Sequence, residues 1–319
     1  MTYEELLRQI TTDDDRVLVM TAENRAAIRN LPQHLGERLI DVGISEMTMI
    51  GAAAGLALRG RIPIVHALAT FLTLRAFEFI RTDVGIPSLP VKLVGAVPGF
   101  LSDGNGPTHQ ALEDISLMRG IPGMQVFAPA DNDEMISGIT AIIASPRPWY
   151  IRFNSLPAVT EHHEPFAIGK AEEHGDGKDV AILTYGFLFR EAWTAAQLLN
   201  AEGIRCRVVN LRTLKPLDEA AVIRAVNECA MLVTVEDHFK TGGLVSILAE
   251  LCLEKQIMCP LLPIALEERW FRPATLPRVL EHEECTGQDI AARILTELER
   301  RGYRHDLQVL SESHFKTYL

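Results

Sequence analysis

The stretch DVGISEMTMIGAAAGLALRGRIPIVHALA, residues 41–69, sets a helical pattern, EMTMIGAAAGLALRG (46–60), directly before a buried-strand pattern, IPIVHALA (62–69). The same alternation extends in both directions. RVLVM (16–20), LPVKLVGAV (89–97) and MQVFAPA (124–130) read as further buried strands. Helical patterns lie between them over 73–85, 108–120 and 132–145. Strand and helix alternating at this spacing predict βαβ units and a parallel sheet. The alternation breaks over PWYIRFNSLPAVTEHHEPFAIGKAEEHGDGKD (148–179), where scattered Pro, His and Gly predict a connection with short strands.

A second set follows, with strands DVAILTYG (179–186), RCRVVNLRTL (205–214) and MLVTVEDH (231–238) and helices over 190–203, 218–230 and 242–256. The expected fold class is therefore α/β, in two three-layer αβα domains. The first, 1–156, has a parallel sheet; the second, 179–306, has a mostly parallel one. Residues 157–178 link them, and 307–319 form a surface tail. Ligands of such sheets bind beyond the carboxyl ends of the strands, so the turns after them are the places to search.

A chain of 319 residues suits two such domains, and 47% hydrophobic with 23% charged residues excludes a disordered or fibrous protein. No apolar run approaches the ~18 residues of a membrane span. The acidic, amphipathic start MTYEELLRQITTDDD is not a targeting peptide, so a cytoplasmic protein is expected. A net charge of −11 disfavours nucleic acid and anionic membranes as partners. Cysteines 206, 229, 252, 259 and 285 are odd in number and contain no C-x-x-C, which predicts free thiols and no zinc site.

Among candidate chemical groups, Glu46 opens a helix within an otherwise apolar segment. A helix-dipole role and a functional buried carboxylate are equally open, and a buried carboxylate needs a partner. His109 follows the Gly-rich loop PGFLSDGNGP and is expected at a helix start capped by Thr108 or Asn105. His162 and His163 have no partner at metal spacing and read as a solvated loop. Gly175-Asp176-Gly177 reads as a turn entering a strand. Phe71, Phe77 and Phe79 recur at near-helical intervals, a core pattern.

Six blocks carry a family resemblance: DVGISEMTMIGAAAGLAL (41–58), ATFLTLRAFEFIR (69–81), GNGPTHQALEDISLMR (104–119), YIR (150–152), LRTLKPLD (211–218) and TVEDHFKTGGL (234–244). In this order they resemble the pyrimidine-binding and C-terminal domains of transketolases, and the chain is similar in length to the small subunit of split transketolases. The resemblance implies ketol transfer with thiamine diphosphate. Glu46 stands where a glutamate contacts N1′ of the thiamine aminopyrimidine and promotes removal of the C2 proton. Phe71, Leu74 and Phe77 match the aminopyrimidine pocket. Glu23 stands in place of an aspartate near the end of the first strand. His109 matches a histidine above the thiazolium. Arg152 matches an arginine for the anionic end of the sugar.

Several family features differ. Asn105 replaces an aspartate, GAVPGF (95–100) lacks a histidine, and a phosphate-binding arginine near the start has no counterpart. These departures predict altered sugar specificity. The resemblance further implies that Mg2+ and the diphosphate are held mainly by a separate large subunit, in a heterotetramer, with no metal ligand on this chain. The small subunit of a 2-oxo-acid dehydrogenase, or a non-catalytic interaction subunit, are the alternatives. Deoxyxylulose-phosphate synthase shares the Thr-His-Gln block.

Overall fold

The computed structural model describes residues 1–23 and 27–303, so the expected tail at 307–319 lies outside the described residues. The first sheet is built from β1 (Val17–Thr21), β2 (Leu39–Asp41), β3 (Ile62–Leu68), β4 (Lys92–Ala96), β5 (Gln125–Phe127) and β6 (Trp149–Arg152). The second takes β7 (Glu172–His174), β8 (Val180–Thr184), β9 (Cys206–Asn210), β11 (Met231–Phe239) and β12 (Leu261–Leu266), while β10 (Thr213–Lys215) joins the first. The sheet orders are β10-β5-β6-β4-β3-β1-β2 and β12-β11-β8-β9-β7. All pairings are parallel except β10 with β5 and β7 with β9.

Strand composition explains the layering. β1, β4 and β8 are buried along their whole length, as strands covered on both faces by helices must be. One face of the first sheet packs Leu6, Leu7, Ile139, Ile142 and Ile143 from helices Tyr3–Asp13 and Asn132–Ala144. The other packs the small-residue face Ala53, Ala54 and Ala57 of helix Glu46–Leu58. That second core continues through Tyr150 to β8 and to helices Glu219–Glu228 and Leu244–Lys255. The two αβα units therefore share buried apolar surface. Each fully buried Leu, Ile or Val contributes roughly 1.5–3 kcal/mol to holding them together.

Three elements differ from the sequence reading. The run 205–214 is not one strand: the chain turns after Asn210, where Arg212 N–H donates to the Asn210 carbonyl, and Thr213–Lys215 crosses to the edge of the first sheet. Apolar character alone cannot reveal which sheet a strand joins. Helix 108–120 shrinks to Asp114–Arg119, because residues 99–109 form 3-10 turns interrupted at Asp103 and Gly106. The helix expected over 73–85 is widened into π turns at Phe71–Arg75 and Ile80–Gly85. The Gly175-Asp176-Gly177 segment lies between β7 and β8, as a turn. No helix of the described residues is long and apolar enough to cross a membrane.

Candidate active site

β3 runs into the π turn Phe71–Arg75, so its carboxyl end delivers that turn beside the start of helix Glu46–Leu58. Ser45, before the helix, makes no backbone cap; its hydroxyl meets Thr48 Oγ1 at 2.6 Å. Glu46 is 3% exposed, and its Oε2 lies 2.8 Å from Arg75 Nη1. The Arg75 guanidinium stands 4.2 Å over the Phe71 ring. Phe71 in turn meets His109 edge-on, with ring centroids 5.0 Å apart. Glu46, Arg75, Phe71 and His109 thus form one continuous chain of contacts. Phe71 and Arg75 are four apart on one helical face, so their side chains meet; π turns such as this one are frequent at functional sites.

His109 occupies a 3-10 turn, Pro107–His109, rather than a helix start, and Nδ1 meets Thr108 Oγ1 at 2.9 Å. Neither Thr108 nor Asn105 caps a helix; Asn105 Nδ2 donates to the Ser102 carbonyl at 2.8 Å. The loop is held from the second unit. Buried Gln110 donates to the Phe271 carbonyl at 2.9 Å, and Phe100 packs edge-on against Phe271.

The other expected residues are placed as follows. Leu74 is exposed in the same π turn, and Phe77 is half-buried against the core without a ring contact to Phe71 or His109. Phe71, Phe77 and Phe79 are none of them fully buried, so the core pattern holds only in part. Glu23, just past β1, is exposed with φ 66°, and its N–H donates to Asp41 Oδ1 at 3.0 Å. It makes no described contact with Glu46.

Arg152 has a different environment from the one expected. It is 3% exposed, with Nε 2.9 Å from Asp114 Oδ2 and Nη1 2.6 Å from Asp237 Oδ1. Tyr150 also donates to Asp114 Oδ2, at 2.6 Å. This guanidinium is buried and paired with two carboxylates. Gly99 explains how the loop closes over it, since a Cβ there would fall 1.8 Å from Asp237 Oδ2. Neighbouring groups are tuned by burial. His238 is pushed down to about 4, and its Nε2 accepts from the Ser116 N–H. Glu236 is pushed up to about 8, while accepting from the N–H groups of Leu244 and Val245.

Two groupings escaped sequence reasoning. Arg75 lies in the quoted block ATFLTLRAFEFIR, and the need of a buried Glu46 for a partner was the available signal. His162, read as solvated and partnerless, is instead half-buried and meets Glu172 Oε2 and Asp131 Oδ2 at 2.6 and 2.9 Å. Those partners come from a strand and a helix cap, ten and 31 residues away, which local spacing does not display.

Comparison with known proteins shows the family. Residues 1–156 match the transketolase pyrimidine binding domain and residues 169–290 the transketolase C-terminal domain. The chain is 36% identical over 307 residues to the 6-deoxy-6-sulfo-D-fructose transketolase subunit SqwH of Clostridium sp. (strain MSTE9), covering 95% of each. It is also 36% identical over 271 residues to a 1-deoxy-D-xylulose-5-phosphate synthase of Dictyoglomus thermophilum, but covers only 44% of that protein. A solved split gene transketolase, described as an inactive beta4 tetramer, superposes with a TM-score of 0.83 at 31% identity, over 93% of this chain and 96% of that one. A transketolase from Campylobacter jejuni shares the fold at TM-score 0.79 and 17% identity, with 92% of this chain covering 45% of that one. The chain belongs to the transketolase family, and its similarity extends along nearly its whole length to split subunits.

Proposed function

We propose that this chain is the small subunit of a thiamine-diphosphate-dependent ketol transferase, acting on sugars that lack an ordinary terminal phosphate. The observation that carries the reading is Glu46: a carboxylate 3% exposed at the carboxyl side of a parallel sheet, linked through Arg75 to Phe71 and His109. These residues fit one edge of the cofactor. Glu46 would share a proton with N1′ of the aminopyrimidine, Phe71 would wall the ring, and His109 would hold or move a proton on the substrate side. Bound thiamine diphosphate supplies the electron sink for cleaving and forming the carbon–carbon bond. Arg75 shields the Glu46 carboxylate in the free chain and would yield that position to the ring. In this reading a partner chain holds Mg2+ and the diphosphate, within a heterotetramer.

Substrate choice follows from charge. A phosphate dianion in a partly desolvated channel needs paired cations. Arg152 is already paired to two carboxylates, and Asn105 is neutral. The SqwH relative is named for a sulfo-sugar, and a sulfonate carries a single negative charge. A ketose ending in a sulfonate or an uncharged group suits this chain better than a pentose phosphate. The deoxyxylulose-phosphate synthase similarity supports a second reading, decarboxylative transfer from a 2-oxo acid.

The test is C2 proton–deuterium exchange of thiamine diphosphate on the reconstituted pair. Glu46→Gln keeps the shape, so thermal unfolding should be little changed while exchange falls by ~10²–10⁴. Unchanged exchange would remove Glu46 from the chemistry.

A further inference from the structure

We propose that His162, Glu172 and His174 form a binding site for a single divalent transition-metal ion, zinc being the best fit, which fastens the inter-domain connection to both units. One ligand atom of each residue lies within 4.8 Å of the others. Glu172 is fully buried and divides its oxygens. Oε1 accepts from the N–H groups of His163 and Glu164, at 2.7 and 3.3 Å. Oε2 faces both imidazoles, 2.6 Å from His162 Nδ1 and 3.3 Å from His174 Nε2.

His174 is the second, independent observation. Its side chain is 1% exposed, and neither ring nitrogen completes a hydrogen bond among the described residues. Packing nonetheless fixes the ring, between Phe189 and Trp193 with centroids 5.2 and 5.4 Å away. A buried imidazole whose Nδ1 has no partner and whose Nε2 has only a long 3.3 Å approach to the Glu172 carboxylate is a costly arrangement unless something binds it.

The surroundings have the form of a metal site. Metal-bound histidines usually donate their other N–H to a carboxylate. His162 Nε2 does so, to Asp131 Oδ2 at 2.9 Å, and Asp131 is itself fixed as the cap of helix Asn132–Ala144, accepting from Glu134 N–H. With metal bonds of about 2.0–2.2 Å, tetrahedral zinc holds its ligand atoms roughly 3.3–3.5 Å apart. The His174–Glu172 separation already has that value, and the His162–Glu172 pair needs to open by less than 1 Å once Nδ1 gives up its proton to solvent. Two imidazoles and a carboxylate select a mid-series divalent ion over Mg2+ or Ca2+. A solvent molecule would complete four-coordination.

The consequence is structural. His162 comes from the connection, Glu172 and His174 from β7 of the second sheet, and Asp131 from the first unit. One ion would tie all three.

Tag-free full-length chain, stripped with chelator, is titrated with Zn2+ by calorimetry and with Co2+ by visible absorption. The expected result is one ion per chain, Co2+ bands of a four-coordinate site, and a Zn2+-dependent rise in Tm. His162→Gln and His174→Gln should each weaken binding at least about 10-fold. His162 is partly exposed, so its variant keeps the test valid if His174→Gln does not fold. A Cys252→Ser/Cys259→Ser control should bind as wild type. Absence of Co2+ bands and of binding heat, or Zn2+ binding unaltered in the histidine variants, overturns the site and leaves His162 as an imidazolium clamp between two carboxylates.

Discussion

Arg75 and Glu46 form an ion pair that is buried at one end and wet at the other: the carboxylate is 3% exposed and the arginine side chain 41%, with 2.8 Å between Nη1 and Oε2. The guanidinium also covers the Phe71 ring, so one side chain shields two residues at once. The pair leaves the carboxylate reachable only from the side that Arg75 covers.

Because Arg75 is partly solvated, its coupling to Glu46 should be modest, about 0.5–1 kcal/mol. A double-mutant cycle of Arg75→Gln and Glu46→Gln in urea unfolding measures it. Zero coupling would mean that the two groups do not pair in solution.

The isolated chain should show no micromolar affinity for thiamine diphosphate, whereas the chain reconstituted with its large subunit should bind it. Calorimetric titration of both preparations decides the matter. Tight binding by the chain alone would place a complete cofactor site here.

Arg152→Leu should destabilise the chain by about 3–5 kcal/mol, since it strands Asp114 and Asp237 without their buried cation. Arg152→Lys should recover only part of that, because an ammonium cannot reach both carboxylates with planar geometry. Urea midpoints give the ranking. A loss below about 1 kcal/mol for the leucine variant would show that the carboxylates are not held by this arginine.

Buried His66 and His238 should each make stability fall as the pH drops from about 6.5 to 4, while buried Glu134 and Glu236, pushed up to about 7 and about 8, act in the opposite direction. Burial pushes His66 down to about 4, as it does His238, so each stays neutral when folded and takes a proton near 6.5 when unfolded. At each histidine the unfolded chain binds more protons across that window, so each contributes up to ~1.4 kcal/mol of added stability per pH unit of rise. His66→Gln should make the slope of urea midpoints against pH less positive by that one contribution. An identical slope in the variant would exclude His66 as a source.

The reconstituted enzyme should not favour xylulose 5-phosphate over its unphosphorylated analogue by 10³-fold, a margin of about 4 kcal/mol. A 6-sulfo ketose should serve at least as well as the phosphate. The ratio of kcat/KM values settles the order.

Much of this architecture is legible in the sequence, because parallel strands covered on both faces must be continuously apolar and RVLVM, IPIVHALA and DVAILTYG display that directly. Glu46 stands out as a carboxylate in an apolar segment and His109 as the residue after a Gly-rich loop, and the structure brings them to opposite ends of one contact chain. Arg75 carries no such signal, since a π turn leaves no mark in a helical pattern. Arg152 drew attention by family position, but its environment depends on Asp114 and Asp237, 38 and 85 residues away. Long-range pairing of this kind has no periodicity to read. The same holds for His162, whose partners arrive from two other elements.

The crossing of β10 to the edge of the first sheet has a consequence for how this chain could be divided. Severed near residue 156, the amino-terminal piece would lose its outermost strand and bare the backbone of β5, a template for adhesion to other chains. The carboxyl-terminal piece would carry the missing ribbon with nothing to lie against. The seam suggested by the two sequence patterns is thus not a fault line. Engineers seeking a minimal pyrimidine-side fragment should retain residues through Lys215, or supply a surrogate strand.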